Sequence, residues 1–227
     1  MLTFDRITMG YGSHILLEDQ RLVIEPGAIA GLVAPNGYGK TTLLRAIAGL
    51  PGARVRGNLD VDGIDPRDGT ALKRAVFYAP GDASLLYPNL TVREHLRMAQ
   101  RLWRSRLSAE DVAEKCGIEP FANKRVRACS QGMKQQVTLA IAYLTDARYL
   151  LLDEPMNALD PTNVQLHTKI MRGMAKRGKG IVMSSHILDN VDQVSDTIVF
   201  IKNRHLLSHD PSSAADRAID RYNELYG

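Results

Sequence analysis

The 227-residue chain has few cysteines, few aromatic residues and no long apolar run. Its two cysteines, Cys116 and Cys129, are spaced for neither a metal site nor a redox pair, so we expect ordinary buried thiols in a reducing compartment. No run approaches the ~18 apolar residues that a membrane-spanning helix requires. Residues 1–6 lack a basic region followed by an apolar stretch, so no signal peptide is expected. These absences predict a cytoplasmic chain.

The chain also lacks internal repeats, low-complexity tracts and a strong charge block. Its net charge is +4, and the basic residues cluster only at 101–106 and 124–127. We interpret both clusters as solvated surface and predict no nucleic-acid partner. A chain of this length suits one large domain with a proper core.

A glycine-rich turn between an apolar strand and a helix is the most informative segment. Ala28–Val33 is typical of a buried parallel strand, and Thr42–Leu50 of a helix. Backbone N–H groups at a helix N-terminus bind phosphate, and Gly37 and Gly39 let the backbone approach it closely. The candidate nucleotide-binding residues of this loop are Asn36, Gly37, Tyr38, Gly39, Lys40, Thr41 and Thr42.

Two side chains of the loop have separate predicted roles. The Lys40 ammonium would lie between the β- and γ-phosphates, and the Thr41 hydroxyl would bind the Mg²⁺ that the phosphates carry. The pattern G-x-x-x-x-G-K-[ST] begins with glycine, but this chain has Ala34, which is harmless only with a negative φ. A strand-turn-helix that merely happens to be glycine-rich is the alternative on this motif alone.

Two adjacent carboxylates follow another apolar strand, Tyr149–Leu152. Burying two acids at the end of a strand costs free energy unless a cation or another partner pairs with them. The alternative interpretation is an ordinary strand end that is exposed to solvent. In a phosphate-loop domain, Asp153 would hold Mg²⁺ through its water shell, and Glu154 would orient and polarise the attacking water. Their side chains leave a strand in opposite directions, so we expect different roles.

Strand and helix patterns alternate along the chain after a more β-rich start, which predicts an α/β fold with a mainly parallel sheet. Strands are predicted at 2–9, 20–24, 28–33, 56–61, 75–78, 149–152, 180–183, 197–201 and 206–208, the last two as an edge hairpin. Helices are predicted at 42–50, from 91, from 108 to 117, after 130, at 164–176 and at 213–226. Residues 88–130 are therefore interpreted as a helical insertion.

Ser130, Gln131 and Gly132 begin one of these helices. Ser130 can cap it, which leaves free N–H groups and the positive end of the helix dipole facing outward. Together with the phosphate loop and the two carboxylates, this segment resembles the nucleotide-binding subunits of ABC transporters, in which it is the signature sequence. The form Ser-x-Gly-Met-Lys-Gln is common in the branch that serves ABC-2-type exporters.

The resemblance implies further site residues. Tyr11 resembles the aromatic residue on which adenine stacks, a contact worth ~1–3 kcal/mol. His186 resembles the switch histidine that contacts the γ-phosphate and helps to hold the water. Asn157 and Asp160 resemble the loop through which two such subunits communicate.

One position departs from the family pattern. Where the family usually has a glutamine that contacts Mg²⁺ or the attacking water, this chain has Gly81 followed by Asp82. Glycine offers no ligand, and the sequence leaves open whether Asp82 binds the metal or water takes the position. The departure bears on coupling to a membrane partner more than on nucleotide binding.

The resemblance implies a P-loop NTPase fold in a single ABC ATPase domain, with an N-terminal antiparallel β subdomain. The ATP-binding core would span 1–87 and 131–209, the helical signature subdomain 88–130 and a C-terminal helix 210–227. It further implies an ATPase that uses ATP and Mg²⁺ and pairs as a homodimer or as a heterodimer with a second ABC subunit. Each ATP would lie between Lys40 of one subunit and Ser130 of the other.

The implied partners are separately encoded transmembrane permease subunits. The chain would lie peripherally on the inner face of the cell membrane and power transport, with export favoured over import. A GTPase would need Asn-Lys-x-Asp, and residues 123–126 lack the Asp. A DNA-repair or chromosome-organising ABC ATPase would carry long heptad repeats, and this sequence has none. A translation-factor relative would carry two such ATPase cassettes in one chain, which 227 residues cannot hold. A regulatory nucleotide-binding subunit with weak or no hydrolysis is the alternative kept open.

Overall fold

The computed structural model describes residues 1–65, 68–211 and 217–227, and the strands and helices named below lie within these ranges. The strands are β1 (Leu2–Tyr11), β2 (His14–Ile24), β3 (Ile29–Val33), β4 (Arg54–Val61), β5 (Val76–Ala79), β6 (Tyr149–Leu152), β7 (Gly180–Ser184), β8 (Thr197–Lys202) and β9 (His205–His209). The helices are α1 (Lys40–Ile47), α2 (Gly69–Ala75), α3 (Val92–Trp103), α4 (Ala109–Lys115), α5 (Gln131–Leu144), α6 (Pro161–Lys176), α7 (Leu188–Val194) and α8 (Ala218–Tyr226).

The N-terminal strands form an antiparallel sheet in the order β2-β1-β4. Strand β2 begins at His14, earlier than predicted, because it pairs with β1 from Leu2 opposite Ile24 to Tyr11 opposite His14. Apolar side chains of this sheet pack against α1 and one face of the second sheet. The predicted β-rich start is confirmed.

The second sheet has the order β5-β6-β7-β3-β8-β9, with all neighbours parallel except β8 and β9. Every residue of β3, β6 and β7 is buried, which explains their continuous apolar sequences. The carboxyl ends of these three adjacent strands meet at one edge of the sheet. The predicted phosphate loop (residues 34–42), Asp153 and His186 follow these three strands and lie at that edge.

The predicted edge hairpin is confirmed. Strands β8 and β9 pair from Lys202 opposite His205 to Ile198 opposite His209. The two connecting residues, Asn203 and Arg204, have φ of 49° and 69°, the positive values that a two-residue type I′ hairpin requires.

The helical region packs on the other face of the parallel sheet. Helix α3 begins with the expected capping box of Thr91 and Glu94, and Ser108 caps α4. Apolar residues of both helices share one continuous core with β6, β7 and α5. Helices α3 and α4 lie inside the predicted 88–130 insertion, but the division of the chain into subdomains stays a prediction.

Helix α8 begins at Ala218, so the tail helix is shorter than the predicted 213–226; residues 213–216 of that prediction lie outside the described residues. Both cysteines are buried free thiols, as expected. Burial raises the pKa of the Cys116 thiol to about 12, which makes it inert. In the part of the chain that the structure describes, we find no helix whose length and hydropathy would let it cross a membrane.

Candidate nucleotide site

The phosphate loop connects β3 to α1 at the carboxyl edge of the parallel sheet. Gly37 and Gly39 have φ of 87° and 99°, a left-handed conformation that glycine adopts without strain. Gly39 also occupies the N-cap of α1, where no side chain bonds the first N–H groups of the helix. Ala34 has no positive φ, so its replacement of the usual glycine is sterically harmless.

Lys40 is buried within the loop that precedes it. Its Nζ atom donates a hydrogen bond to the Ala34 carbonyl at 2.6 Å. Burial lowers the pKa of Lys40, and the nearby charges of Glu154 and Asp153 oppose that shift. The side chain is therefore held by backbone oxygens beside two carboxylates, at the start of a helix whose dipole favours anions.

A cavity of about 390 Å³ opens beside the loop. It brings together Tyr11 from the end of β1, the phosphate loop and Glu154 from the end of β6. The Tyr11 hydroxyl lies 3.4 Å from Thr42 Oγ1, and half of the residue is exposed. The lining residues are Tyr11, His14, Leu16, Asn36, Gly37, Gly39, Lys40, Thr41, Thr42 and Glu154. Tyr38, predicted with the loop, lies outside this lining, with its ring packed against Tyr226.

Asp153 is buried and held at both carboxyl oxygens. The Ser184 hydroxyl donates to Oδ1 at 2.6 Å, and the Tyr78 hydroxyl donates to Oδ2 at 3.1 Å. Burial, followed by the neighbouring Asp153 charge, raises the pKa of Tyr78, so this hydroxyl stays a neutral donor. Three parallel strands thus fix the orientation of one carboxyl group.

Glu154 and His186 are in direct contact. His186 Nδ1 lies 2.8 Å from Glu154 Oε2, and the His186 backbone N–H donates to the same oxygen at 3.3 Å. Glu154 has a φ of 47°, an unfavourable value for a non-glycine residue, and its N–H donates to Ser184 Oγ at 2.9 Å. Strain of this kind is common at functional sites.

Gly81 packs against the same turn. A Cβ atom on Gly81 would lie 2.8 Å from the Asp153 carbonyl oxygen and 3.3 Å from Glu154 Cβ, so a side chain would displace both acids. Asp82 caps a short 3₁₀ helix, since its Oδ1 accepts the Ser84 N–H at 3.0 Å. Hydrogen bonds with the Ser84 side chain and then with its backbone lower the pKa of Asp82.

The signature residues lie apart from the cavity lining given above. Ser130 caps α5, as predicted, and accepts the Met133 N–H at 3.2 Å. A Cβ atom on Gly132 would lie 2.7 Å from the Ala158 carbonyl oxygen, so only glycine fits there. The signature helix therefore contacts the loop that carries Asn157 and Asp160, both of which are exposed.

Asp160 also has a structural task, because it caps α6 through the Asn163 N–H at 3.0 Å. Sequence reasoning missed His14 and Leu16 in the cavity, and it missed the contacts of Tyr78 and Ser184 with Asp153. The sequence shows Ser184 two residues before the candidate switch histidine, His186. It gives no sign of the contact with Asp153, because that residue follows another strand.

A phosphate-binding loop after one parallel strand, with two acids after the neighbouring strand, defines a P-loop nucleoside triphosphatase fold. The described part of the chain has this arrangement at the edge formed by β3, β6 and β7. Comparison with known families narrows the class. The chain belongs to the ABC transporter family, whose model matches residues 17–157.

Individual relatives agree with this assignment. The chain is 32% identical over 197 residues to the ABC transporter ATP-binding protein NatA of Bacillus subtilis, which covers 84% of this chain and 80% of that one. It is 29% identical over 204 residues to the lantibiotic transport ATP-binding protein SrtF of Streptococcus pyogenes, covering 88% and 86%. It is 33% identical over 201 residues to the Nod factor export ATP-binding protein I of Rhizobium johnstonii, covering 86% of this chain but only 64% of the relative.

Solved structures give the same fold. An ATP-binding subunit of an ABC transporter superposes with a TM-score of 0.88 at 27% identity, covering 100% of both chains. The ATP-binding cassette MJ0796, solved as a dimer in a post-hydrolysis state with ADP and Pi, gives a TM-score of 0.81 at 22% identity, covering 94% of this chain and 100% of that one. The predicted fold class and family resemblance are confirmed.

Proposed function

We propose that this chain binds ATP in the cavity beside the phosphate loop and hydrolyses it to power transport. The observation that carries the proposal is the meeting of Tyr11, Lys40 and Glu154 in one cavity, although they are far apart in sequence. An aromatic face, a phosphate-binding lysine and a carboxylate are the three groups that adenine, the phosphates and an attacking water require.

The roles of the side chains follow from their positions. The backbone N–H groups of the loop and the Lys40 ammonium would bind the β- and γ-phosphates. Glu154 would orient the attacking water and accept its proton, while His186, whose Nδ1 and backbone N–H contact that carboxylate, would hold it in place and contact the γ-phosphate. The bond of the Glu154 N–H to Ser184 Oγ and the contacts with His186 hold this residue in place before the substrate arrives.

The residues present also fit a magnesium ion. Mg²⁺ takes oxygen ligands and keeps several waters, so one or two protein oxygens beside substrate phosphates suffice. The Thr41 hydroxyl lines the cavity and Asp153 is a buried carboxyl group held by two hydroxyl donors. Thr41 would bind the ion directly and Asp153 through its water shell. When bound, Mg²⁺ neutralises charge on the phosphates. Asp82, which caps a helix, has no part in this proposal.

Two subunits would complete each site. The Ser130–Gly132 helix end would meet an ATP bound to Lys40 of a neighbouring subunit, with the two subunits facing head to tail. Asn157 and Asp160, next to Glu154 along the chain and exposed, would carry the nucleotide state across the interface. Loss of the γ-phosphate would remove this bridge and let the pair open.

We further infer that separate transmembrane subunits convert the opening into export, with the chain peripheral on the inner face of the membrane. Two observations support this inference. Residues 130–135 have the form Ser-x-Gly-Met-Lys-Gln, and two relatives are named for lantibiotic transport and Nod factor export.

Substitution of the proposed base tests the function. Glu154→Gln removes the proton acceptor and keeps the shape, so ATP turnover is expected to fall by about 10²- to 10⁴-fold. Equilibrium binding of a fluorescent ATP analogue with Mg²⁺ should persist. Lys40→Ala is the matched control, and it should weaken binding itself. Undiminished hydrolysis by Glu154→Gln would refute the assigned role.

A further inference from the structure

The phosphate loop carries an exposed aromatic ring that the proposed chemistry does not use. Tyr38 contributes no lining to the cavity. Its ring instead meets the ring of Tyr226, the last residue of α8, edge to face with centroids 5.6 Å apart and planes at 89°. The C-terminal helix therefore touches the loop that would bind the phosphates.

Tyr226 is fixed by bonds to the parallel sheet. Its hydroxyl donates to the Ile201 carbonyl of β8 at 2.6 Å. The Lys202 ammonium lies 5.0 Å from the Tyr226 ring centroid and bonds the Leu225 carbonyl. Strand β8 pairs directly with β3, which leads into the phosphate loop. The ring against Tyr38 is thus held by a rigid element.

The other end of α8 is tied to the segment that follows His186. Asp192 of α7 caps α8 by accepting the Ala218 N–H at 3.0 Å. The Arg217 guanidinium pairs with Asp189 of the same helix at 2.6 Å. Helix α7 begins two residues after His186. One helix therefore contacts both the phosphate loop and the segment that follows His186.

We propose that α8 is a strut that holds the phosphate loop in its binding conformation, with Tyr226 as a positioning residue acting through Tyr38. A loop ordered before the ligand arrives binds more tightly, because the cost of ordering is not taken from the binding energy. An edge-to-face aromatic pair stabilises the contact between two segments beyond what their buried area gives, so this pair can hold the loop against α8. The affinity part of this inference rests on the proposed function.

Two readouts test the strut on the full chain. The first is hydrogen exchange of the amides of residues 36–39 in the nucleotide-free protein, and the second is binding of a fluorescent ATP analogue with Mg²⁺. Tyr226→Ala and Tyr38→Ala should each speed the exchange and weaken binding by about two- to tenfold. Because both variants remove the same contact between Tyr38 and Tyr226, the double variant should lose no more than the larger of the two single losses.

Two matched controls separate positioning from a general effect on α8. Tyr226→Phe keeps the ring against Tyr38 but loses the bond to Ile201, so it should lose less affinity than Tyr226→Ala. Arg221→Ala breaks an exposed ion pair with Glu224 on the same helix and should change neither readout. An equal loss in Arg221→Ala would overturn the proposal.

The outcomes also distinguish the strut from the proposed function. If the unaltered protein does not bind the analogue, ATP binding fails, while the exchange rates still decide the strut. If it binds, and Tyr38→Ala and Tyr226→Ala bind and exchange like it, the strut is wrong. Should Tyr226→Ala fail to fold, Tyr38→Ala decides, since that side chain lies on an exposed loop.

Discussion

At the residue scale, Tyr11 forms the open side of the proposed nucleotide site. Its hydroxyl bonds only Thr42 among the described residues, and half of the residue is exposed, so the side chain is open to a base. Tyr11→Ala is expected to weaken binding of a fluorescent ATP analogue by about 5- to 100-fold, since base stacking contributes ~1–3 kcal/mol. Tyr11→Phe keeps the ring and should bind nearly as well. Equal affinity of the alanine variant would show that the base lies elsewhere.

Gly81 is a second test at this scale, because the family's glutamine is absent there. A Cβ atom would press on the Asp153 carbonyl, so Gly81→Gln should displace the two acids rather than supply a ligand. We expect ATP turnover to fall by about 10- to 100-fold, the usual cost of an ångström of misplacement, with nucleotide binding retained. Gly69→Ala, where an added Cβ meets nothing, is the control. Higher turnover in Gly81→Gln would contradict this packing argument.

Sequence reasoning reached individual site residues better than their contacts. Lys40, Asp153 and Glu154 follow from local patterns, because a glycine-rich turn or two acids after an apolar strand is visible within ten residues. The contact of Glu154 with His186 joins the ends of two strands 32 positions apart. The distance between His186 Nδ1 and Glu154 Oε2 and the positive φ of Glu154 depend on the register of the sheet, which no local sequence pattern predicts.

At the element scale, the packing of α5 against α6 contains a buried histidine. His167 has no exposed surface, and its Nδ1 lies 3.2 Å from the Tyr143 hydroxyl. Its Nε2 has no hydrogen-bond partner among the described residues. Burial lowers the pKa of His167 to about 4, so the folded chain keeps this ring neutral.

This burial predicts a pH dependence of stability. Between pH 6.5 and about 4, the unfolded chain protonates His167 while the folded chain does not, so the free energy of unfolding falls as the pH falls. His167 alone accounts for a loss on the order of 2 kcal/mol between pH 7 and pH 5. Urea unfolding at both pH values should show a smaller difference for His167→Leu. An unchanged difference would contradict the assignment.

Elements were predictable where their own residues determine them. The capping box of α3 and the apolar strands β3, β6 and β7 carry local signals, and the structure confirms them. Residues 14–19 of β2 were missed although 15–17 are apolar, because the acids at 18 and 19 interrupt the pattern and pairing with β1 continues the strand through them. Helices α2 and α7 were also missed; each has only seven residues, too few for a clear period.

At the scale of the whole molecule, the N-terminal ends of α1 and α5 do not line the same described cavity. The phosphate loop opens into the cavity with Tyr11 and Glu154, whereas Ser130–Gly132 packs beside Ala158. Under the proposed function, one subunit offers two half-sites, and the account requires that they meet between subunits. Sequence reasoning reached this arrangement only through the family resemblance, since an interface leaves no periodic pattern in one chain.

The most direct test of this central claim mixes two inactive variants and measures ATP turnover. Lys40→Ala lacks the phosphate site, and Ser130→Arg blocks the signature end, so each alone should be inactive. Together they can form a pair in which an intact Lys40 meets an intact Ser130. The account predicts that mixing restores turnover, with the unaltered protein as reference. An active unaltered protein whose two variants show no recovery on mixing would contradict it.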